Sequence, residues 1–585
     1  MDPVNITDTV VTAPPEPSRV TLKRQPMDKA AFELRLADVS QGRARRADAG
    51  PSGRTVFVQE RERTDTAVQQ PNAKLLVVSN RVSSFDPDKP KTGGLAAALE
   101  PVVERSGAVW MGSSGTLSGT EQLAALEPHG KGQAARVDLP AAHYAGFYHG
   151  LANSTLWPAF HSLTERMTPA SEEHYKSYCE INASMARTLT SLGKWDAIWV
   201  HDYHFLPLGN ELRNLDNQRP IGFFLHTPWP EPDAIQQVPH HRDLMESMLA
   251  YDLIGFQTNR DLDNFLACLH FHLGLKSNSN VVISERGLTR CQKFPIGIDP
   301  KQFAEYAVES LAKHSSDISS IQGKLDGAKL AIGVDRLDYT KGIDKRIKAF
   351  DHLLADKPRS ISLLQIATPS RTDIPAYSEF QHDIDSLVDE VNRKHDADDG
   401  WKPILYEKDH LPQAQLAGLY RTAHVGVVTP LRDGMNLVAK EFVAAQDPSD
   451  PGVLVLSKNA GAAEDFNENE ALLVDPARPE NIADAISRAA EMPCGERIER
   501  WRAMMDKLET YTIHDWSADF VRELGNSRVT VPADQFRHLG FGWINDAQMP
   551  EYETPEEYTI AVSHVQDTRW ALPSNGPDYT QGGER

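Results

Sequence analysis

Cysteine is scarce: the 585 residues hold four, Cys179, Cys268, Cys291 and Cys494, with no pair at Cys-x-x-Cys spacing. That excludes a disulfide framework and the usual zinc-binding spacing, and it points to a reducing compartment. No run of roughly 18 apolar residues occurs, so no membrane-spanning helix is expected. The start, MDPVNITDTVVTAPPEPSRV, has no basic segment followed by an apolar one, and a cytoplasmic protein is expected. Positive charge is in deficit, with 61 Lys and Arg against 82 Asp and Glu and a formal net charge of -21. Such a balance speaks against nucleic acid or an anionic membrane as partner and leaves room for a local basic pocket. The hydrophobic fraction of 40% and charged fraction of 24% are those of a globular protein, and the length predicts two large domains plus extra segments.

Residues 1–72 are rich in Pro, Thr, Gln, Arg and Asp without a sustained apolar period, which predicts a disordered N-terminal arm. Within it, residues 30–36 read either as solvated tail or as a helix formed against a partner. Residues 531–585 predict a poorly ordered C-terminal tail. Between them, uncharged runs of strand length alternate with amphipathic stretches. Leu75-Leu76-Val77-Val78, Ala197-Ile198-Trp199-Val200, Ile221-Gly222-Phe223-Phe224-Leu225 and Leu253-Ile254-Gly255-Phe256 form one series. Leu330-Ala331-Ile332-Gly333-Val334, Ile361-Ser362-Leu363-Leu364-Gln365-Ile366, Val425-Gly426-Val427-Val428 and Val453-Leu454-Val455-Leu456 form a second. Such runs suit parallel strands covered on both faces. Two α/β domains are expected, at 73–298 and 299–530, the second ending in a closing helix, joined near Pro295-Ile296-Gly297-Ile298-Asp299-Pro300. Ligands of such folds bind beyond the carboxyl ends of strands, which predicts a cleft between facing domains.

The chemistry-bearing motifs follow those strands. Gly93-Gly94 opens a helix whose amides can meet phosphate, or is a plain strand-to-helix turn. Arg336 and Lys341, five residues apart in a loop after a buried strand, either grip a diphosphate from two sides or are surface cations. In Arg432-Asp433-Gly434-Met435-Asn436-Leu437-Val438, Gly434 permits close backbone approach and a helix begins near Asn436. Glu441, in the helix's second turn, can accept both hydroxyls of a ribose or lie on an exposed face. His201, Asp202, His204 and His226 stand at strand ends; with no familiar ligand spacing, no metal is expected.

In order, SNR…GG, WPAFH, HDYH, FFLHTPWP, LIGFQT, PIGIDP, RLDYTKG, TPLRDGMNLVAKEF and AAQDPSDPGVLVLS resemble the motifs of the trehalose-6-phosphate synthase family from about Lys74 to about Leu524. The resemblance implies a GT-B architecture, two facing Rossmann-like domains with the active site in the cleft. It implies a retaining glucosyltransferase that makes α,α-trehalose 6-phosphate from UDP-glucose and glucose 6-phosphate, with no metal or other cofactor. Arg336 and Lys341 would hold the diphosphate, with Gly94 against it. Glu441 would hold the ribose, and Asp433 with Gly434, Met435, Asn436, Leu437 and Val438 the rest of the donor. His226 would lie over the donor glucose. Arg81, Tyr148 and Arg371 would bind the acceptor phosphate, and Trp157 and Asp202 the acceptor sugar. The catalytic set would be Asp202, His226, Arg336 and Lys341. A homo-oligomer is expected, with a separate phosphatase for the product.

Two departures bear on the acceptor. Gly112-Ser113-Ser114-Gly115 stands where the family commonly has Gly-Trp-Ser-Gly, and Glu231-Pro232-Asp233 follows Pro230 where a Pro-Glu pair is usual. The lost ring is expected to be replaced by Trp110 or Trp229, or to signal a smaller acceptor such as glycerol 3-phosphate. A catalytically silent sugar-phosphate-binding regulator is the alternative from another class.

Overall fold

The computed structural model describes residues 74–82, 94–119, 122–395 and 401–527, and the paired strands Val529–Pro532 and Glu557–Ile560. The expected arm and, apart from those strands, the expected tail lie outside the described residues.

The uncharged runs are the parallel strands that burial on both faces requires. The first sheet comprises β1 (Leu75–Arg81), β2 (Val109–Ser118), β3 (Gln122–His129), β4 (Gly132–Pro140), β5 (Ala197–His201), β6 (Ile221–Phe224), β7 (Leu253–Phe256), β8 (Ser277–Asn278), β9 (Val281–Ser284) and β10 (Gly287–Lys293). Their spatial order is β3-β4-β2-β1-β5-β6-β7-β10-β9-β8. The centre is parallel, while β3 on one side and β8 and β9 on the other pair antiparallel. Here β6 and β7 are buried at every position, which their lack of charge anticipates.

The second sheet has β11 (Lys329–Leu337), β12 (Ile361–Pro369), β13 (Ile404–Glu407), β14 (Val425–Val428), β15 (Val453–Ser457) and β16 (Leu472–Val474), all parallel, in the order β13-β12-β11-β14-β15-β16. Counted from its own first strand this is 3-2-1-4-5-6, the doubly wound order, whose direction reverses between β11 and β14. The first sheet reverses between β1 and β5. Chain leaving a sheet at a reversal point diverges to opposite faces and opens a crevice there, so four loops, after β1, β5, β11 and β14, are placed to hold ligand.

Five helices position the site: α1 (Gly94–Ser106), α2 (Trp157–Phe160), α3 (Ile343–Asp356), α4 (Leu437–Ala445) and α5 (Ile513–Gly525). Before α2 the chain runs through a wide, π-type helical stretch, Ala145–Leu156. On α3, the fully buried Arg346 ties three strand ends together. It donates to Asp335 of β11 at 2.7 Å, to Gln365 of β12 at 2.8 Å and to Thr429 after β14 at 3.2 Å. Arg336, expected in a loop, lies among the last paired residues of β11, and that strand end and the loops that carry Arg371 and Asp433 share one anchor.

The closing helix α5 follows the second domain in the chain but packs on the first sheet. Thr512 caps it, accepting from the Asp515 amide while the Asp515 carboxylate accepts from the Thr512 amide at 2.8 Å. Its buried Trp516 and Phe520 lie 5.0 and 4.7 Å, ring to ring, from Trp199 of β5. A methyl at Gly222 would stand 2.7 Å from the Phe520 ring, so β6 offers glycine to let the ring down onto the strand. Arg290 of β10 pairs with Glu523 at 2.6 Å. No helix among the described residues is long and apolar enough to cross a membrane.

Trp516→Ala removes a fully buried indole, and the expected cost is about 3–5 kcal/mol. It would be read as a lowered urea midpoint; a midpoint within error of the parent would show that α5 contributes little to the first domain.

Candidate active site

Where β11 ends, Arg336 and Lys341 flank Asp338, which caps the turn Tyr339–Lys341 by accepting from the Thr340 amide at 3.0 Å and its hydroxyl at 2.9 Å. Lys341 donates to Asp433 Oδ2 at 2.6 Å, and the Asn436 amide group donates to the same oxygen at 3.0 Å. Burial works against the Asp433 carboxylate, but the Lys341 ammonium outweighs it and holds the group below the usual carboxylate range. Arg336 is the more open cation: its side chain is 41% exposed and its nearest carboxylate, Asp338, is 3.9 Å away.

Asn436 takes a left-handed φ of 77° and caps α4, its side-chain oxygen accepting from the Ala439 amide at 3.3 Å. Met435 is buried, and Leu437 and Val438 are half-buried in the first turn. At Gly434 an added methyl would lie 2.0 Å from the His226 carbonyl oxygen, so this loop meets the first domain backbone to backbone. Only glycine fits there. Glu441 lies five residues beyond Asn436, about 7 Å along the helix. Burial pushes its carboxyl up to about 7 against hydrogen bonds from Gln413 and Tyr420.

Across the cleft, Trp157 of α2 donates its indole N–H to Asp338 at 3.4 Å, and both Arg371 and Arg336 lie over its ring, at 4.0 and 5.3 Å. Arg371 follows β12 with a left-handed φ of 53°, is nearly buried, and donates to Tyr377, to Tyr203 at 3.0 Å and to Asp338 at 3.5 Å. Burial opposes ionisation of Asp338, yet Arg371, Arg336 and Lys341 hold its carboxyl below the usual range. From Tyr203 a run of rings leads outward: Tyr203 to His204, His204 stacked on Tyr148 at 5.9 Å, Tyr148 stacked on Tyr144 at 5.3 Å. Arg81, at the end of β1, acts electrostatically on Tyr144 and packs against Gly115.

The floor is built from β5 and β6. Asp202 adopts a φ of 73°, a strained value for a non-glycine residue, and accepts from the His226 amide at 3.3 Å. Burial raises its carboxyl to about 6 against bonds from the Tyr203 and His226 amides. The Ile296 amide donates to Gln257 Oε1 at 3.0 Å, which turns the Gln257 NH2 toward His226 Nδ1 at 3.5 Å. His226 Nε2 then carries the proton toward His201 Nδ1, 3.0 Å away. Burial lowers His226 and His204 to about 3, His161 to about 4, and His201 well below its ordinary value. Four cleft histidines are thus neutral near pH 7.

The structure brings Asp202, His226, Arg336, Lys341, Asp433, Trp157 and Arg371 together, with Tyr148 and Arg81 reached through the ring series. Gly94 opens α1, and its partner Gly93 lies outside the described residues. One expectation is overturned. Trp110 and Trp229 are buried, their indole N–H groups bonded to Ser79 Oγ at 2.8 Å and Cys268 Sγ at 3.3 Å, so neither walls the acceptor. Ser113 Oγ turns back to accept from the Gly115 amide at 3.0 Å. Sequence reading missed Asp338, although an aspartate two residues before a threonine is a turn-capping signal. It also missed His161, Tyr203 and Tyr377, whose roles depend on packing across the cleft. Among the described residues no group of three His, Cys, Asp or Glu side chains could hold a metal ion.

The pattern of glycosyltransferase family 20 matches residues 67–526. The trehalose-6-phosphate synthase of Sinorhizobium fredii is 40% identical over 463 residues, 77% of this chain and 98% of its own length. A UDP-forming α,α-trehalose-phosphate synthase from Burkholderia xenovorans, solved in complex with glucose-6-phosphate, superposes with a TM-score of 0.73 at 38% identity, covering 77% of this chain and 99% of that one. An Escherichia coli structure bound with UDP-2-fluoro glucose gives 0.71 at 35% identity, with the same coverage. Pattern, relatives and architecture agree over the whole two-domain core, and the chain belongs to glycosyltransferase family 20.

Proposed function

We propose that the protein is a UDP-forming α,α-trehalose-phosphate synthase, transferring glucose from UDP-glucose to glucose 6-phosphate with retention of configuration. The observation that carries this reading is the convergence of Arg336, Lys341 and Arg371 on one buried carboxylate, Asp338, at the point where the two domains meet. Two anionic substrates require cations at the ends of the site and no mobile negative charge between them.

In this reading Arg336 and Lys341 hold the diphosphate beside Gly94 and neutralise it as it leaves. Glu441 accepts the ribose hydroxyls. Asp433, Gly434, Met435 and Asn436 hold the donor glucose, with Leu437 and Val438 in the first turn behind them. His226 lies over that glucose as a neutral imidazole. Arg81, Tyr148 and Arg371 grip the acceptor phosphate, and Trp157 and Asp202 orient its sugar. The leaving phosphate takes the acceptor hydroxyl proton on the face where the new bond forms. A nucleophilic carboxylate on the opposite face, as in retaining glycosidases, is disfavoured because Asp433 is committed to Lys341 at 2.6 Å. The product keeps its phosphate, so a separate phosphatase completes the conversion, and a homo-oligomer goes with the reading.

The test is UDP release from UDP-glucose with glucose 6-phosphate, with glycerol 3-phosphate or with no acceptor, in the presence of EDTA. Release with glucose 6-phosphate alone is expected. Preference for glycerol 3-phosphate would favour the second reading, for which the absence, among the described residues, of a replacement tryptophan beside Ser113 is the specific support; loss of activity in EDTA would refute metal independence. Arg336→Ala and Lys341→Ala are each expected to lower turnover by at least ~10²-fold; near-normal rates in both would remove the leaving-group role.

Glu441 adds a pH signature. Ribose hydroxyls bind its carboxylate, so affinity for UDP-glucose should rise up to about tenfold between pH 6 and pH 8, and Glu441→Gln should flatten that rise. The folded group keeps its proton to about pH 7, whereas the unfolded one releases it near 4.5. Its contribution to stability therefore falls as pH rises from 4.5 to 7 and stays lost above. Glu441→Gln should raise the thermal midpoint at pH 8 and leave it unchanged at pH 4, a pattern that calorimetry would check.

A further inference from the structure

Arg432 immediately precedes Asp433, yet its nine-tenths buried side chain points into the other domain. One terminal nitrogen donates to both Glu231 carboxylate oxygens, at 3.0 and 2.9 Å, and to Ser162 Oγ. The second donates to the Trp229 carbonyl at 2.9 Å, with Asp261 4.0 Å away. Every one of these partners lies in the first domain. They are themselves held: the Trp229 amide donates to Asp261 at 3.0 Å, and Asn264 donates to the Trp229 carbonyl at 3.0 Å.

What this socket carries matters more than its strength. Ser162 takes a left-handed φ of 55° just after α2, the helix that starts with Trp157, and His161 between them donates its Nδ1–H to the Trp157 carbonyl at 2.7 Å. A guanidinium fork fixes distance and angle together, unlike a single ammonium contact. The whole fork is thus seated on the acceptor-side domain, with Ser162 just after α2 among its partners, and its stem springs from the loop assigned to the donor glucose through Asp433 and Gly434. The reacting oxygen and the anomeric carbon are supplied from opposite sides of this contact. An error of about 1 Å in their separation costs on the order of 10²-fold in rate.

We propose that Arg432 is a positioning residue for glucosyl transfer, setting the register of α2 against the donor loop through Ser162, Glu231 and the Trp229 carbonyl. The proposal rests on the synthase reading. It separates transfer from donor binding, because the side chains assigned to the nucleoside diphosphate, Arg336, Lys341 and Glu441, lie in the second domain and neither they nor Gly94 make a hydrogen bond to the Arg432 socket.

The experiment compares the full-length parent with Arg432→Ala, Arg432→Lys, Glu231→Gln, Ser162→Ala and the Arg432→Ala/Glu231→Gln pair. It measures kcat at saturating UDP-glucose and glucose 6-phosphate, the Kd of UDP by titration, and UDP released per disaccharide phosphate formed. Arg432→Ala should lower kcat by about 10- to 100-fold, keep the UDP Kd within about twofold and release more than one UDP per product as water intercepts misplaced glucose. Lysine should recover only part of the rate. Glu231→Gln and Ser162→Ala, made from the other side of the cleft, should show smaller losses of the same kind, and the pair should be no slower than Arg432→Ala alone. A parent that makes no disaccharide phosphate would defeat the synthase reading itself. An active parent with unchanged kcat in Arg432→Ala, or a UDP Kd that weakens in step with kcat, would overturn the positioning role and leave that reading standing.

Discussion

Asp338 exposes none of its side chain and is nonetheless held as a carboxylate. An isolated buried charge of this kind costs several kcal/mol, so the fold must surround it with donors and cations. It does so with the Thr340 amide and hydroxyl, two guanidinium groups and, from the opposite domain, the Trp157 indole. The cations recruited to satisfy this one anion are those assigned above to the two phosphate groups. Positive charge is therefore in position before any phosphate arrives, and little reorganisation is needed at the moment of reaction. The arrangement also explains how a chain with a net charge of -21 presents a cationic site: the positive field is local and anchored from within.

The remaining polar groups of the cleft divide into two kinds. The histidines are kept neutral by burial, so they contribute direction and hydrogen bonding rather than charge. The carboxyls divide by partner: Asp433 and Asp338 are held ionised by adjacent cations, while Asp202 and Glu441 are raised toward neutrality by burial. Sensitivity to pH near neutrality is thereby confined to the positions without a cation in direct contact.

The central strands were legible because an uncharged run bounded by polar loops has few other ways to be satisfied; β6, β7 and β14 are buried at every position. Motif placement followed, since loops after such strands meet at the reversal points of each sheet. The edge strands β3 and β9 mix polar and apolar residues, β8 is the polar pair Ser277–Asn278, and none carries a comparable signal. An amphipathic period shows that α5 buries a face, but not which sheet receives it, so its return to the first domain emerges only in three dimensions. A tryptophan in a strand reads equally as pocket wall or core, and Trp110 proved to be core. Arg432 reads as one more charge beside a motif, because its partners are 201 and 270 residues away in the chain.

The path of α5 bears on synthesis. The glycine-lined surface of β6 and β7 waits for Phe520, which leaves the ribosome only after the whole second domain has been made. At roughly 5–20 residues per second, that interval is on the order of tens of seconds. Throughout it, the first domain lacks the helix that covers this apolar face, and closure depends on the last helix among the described residues.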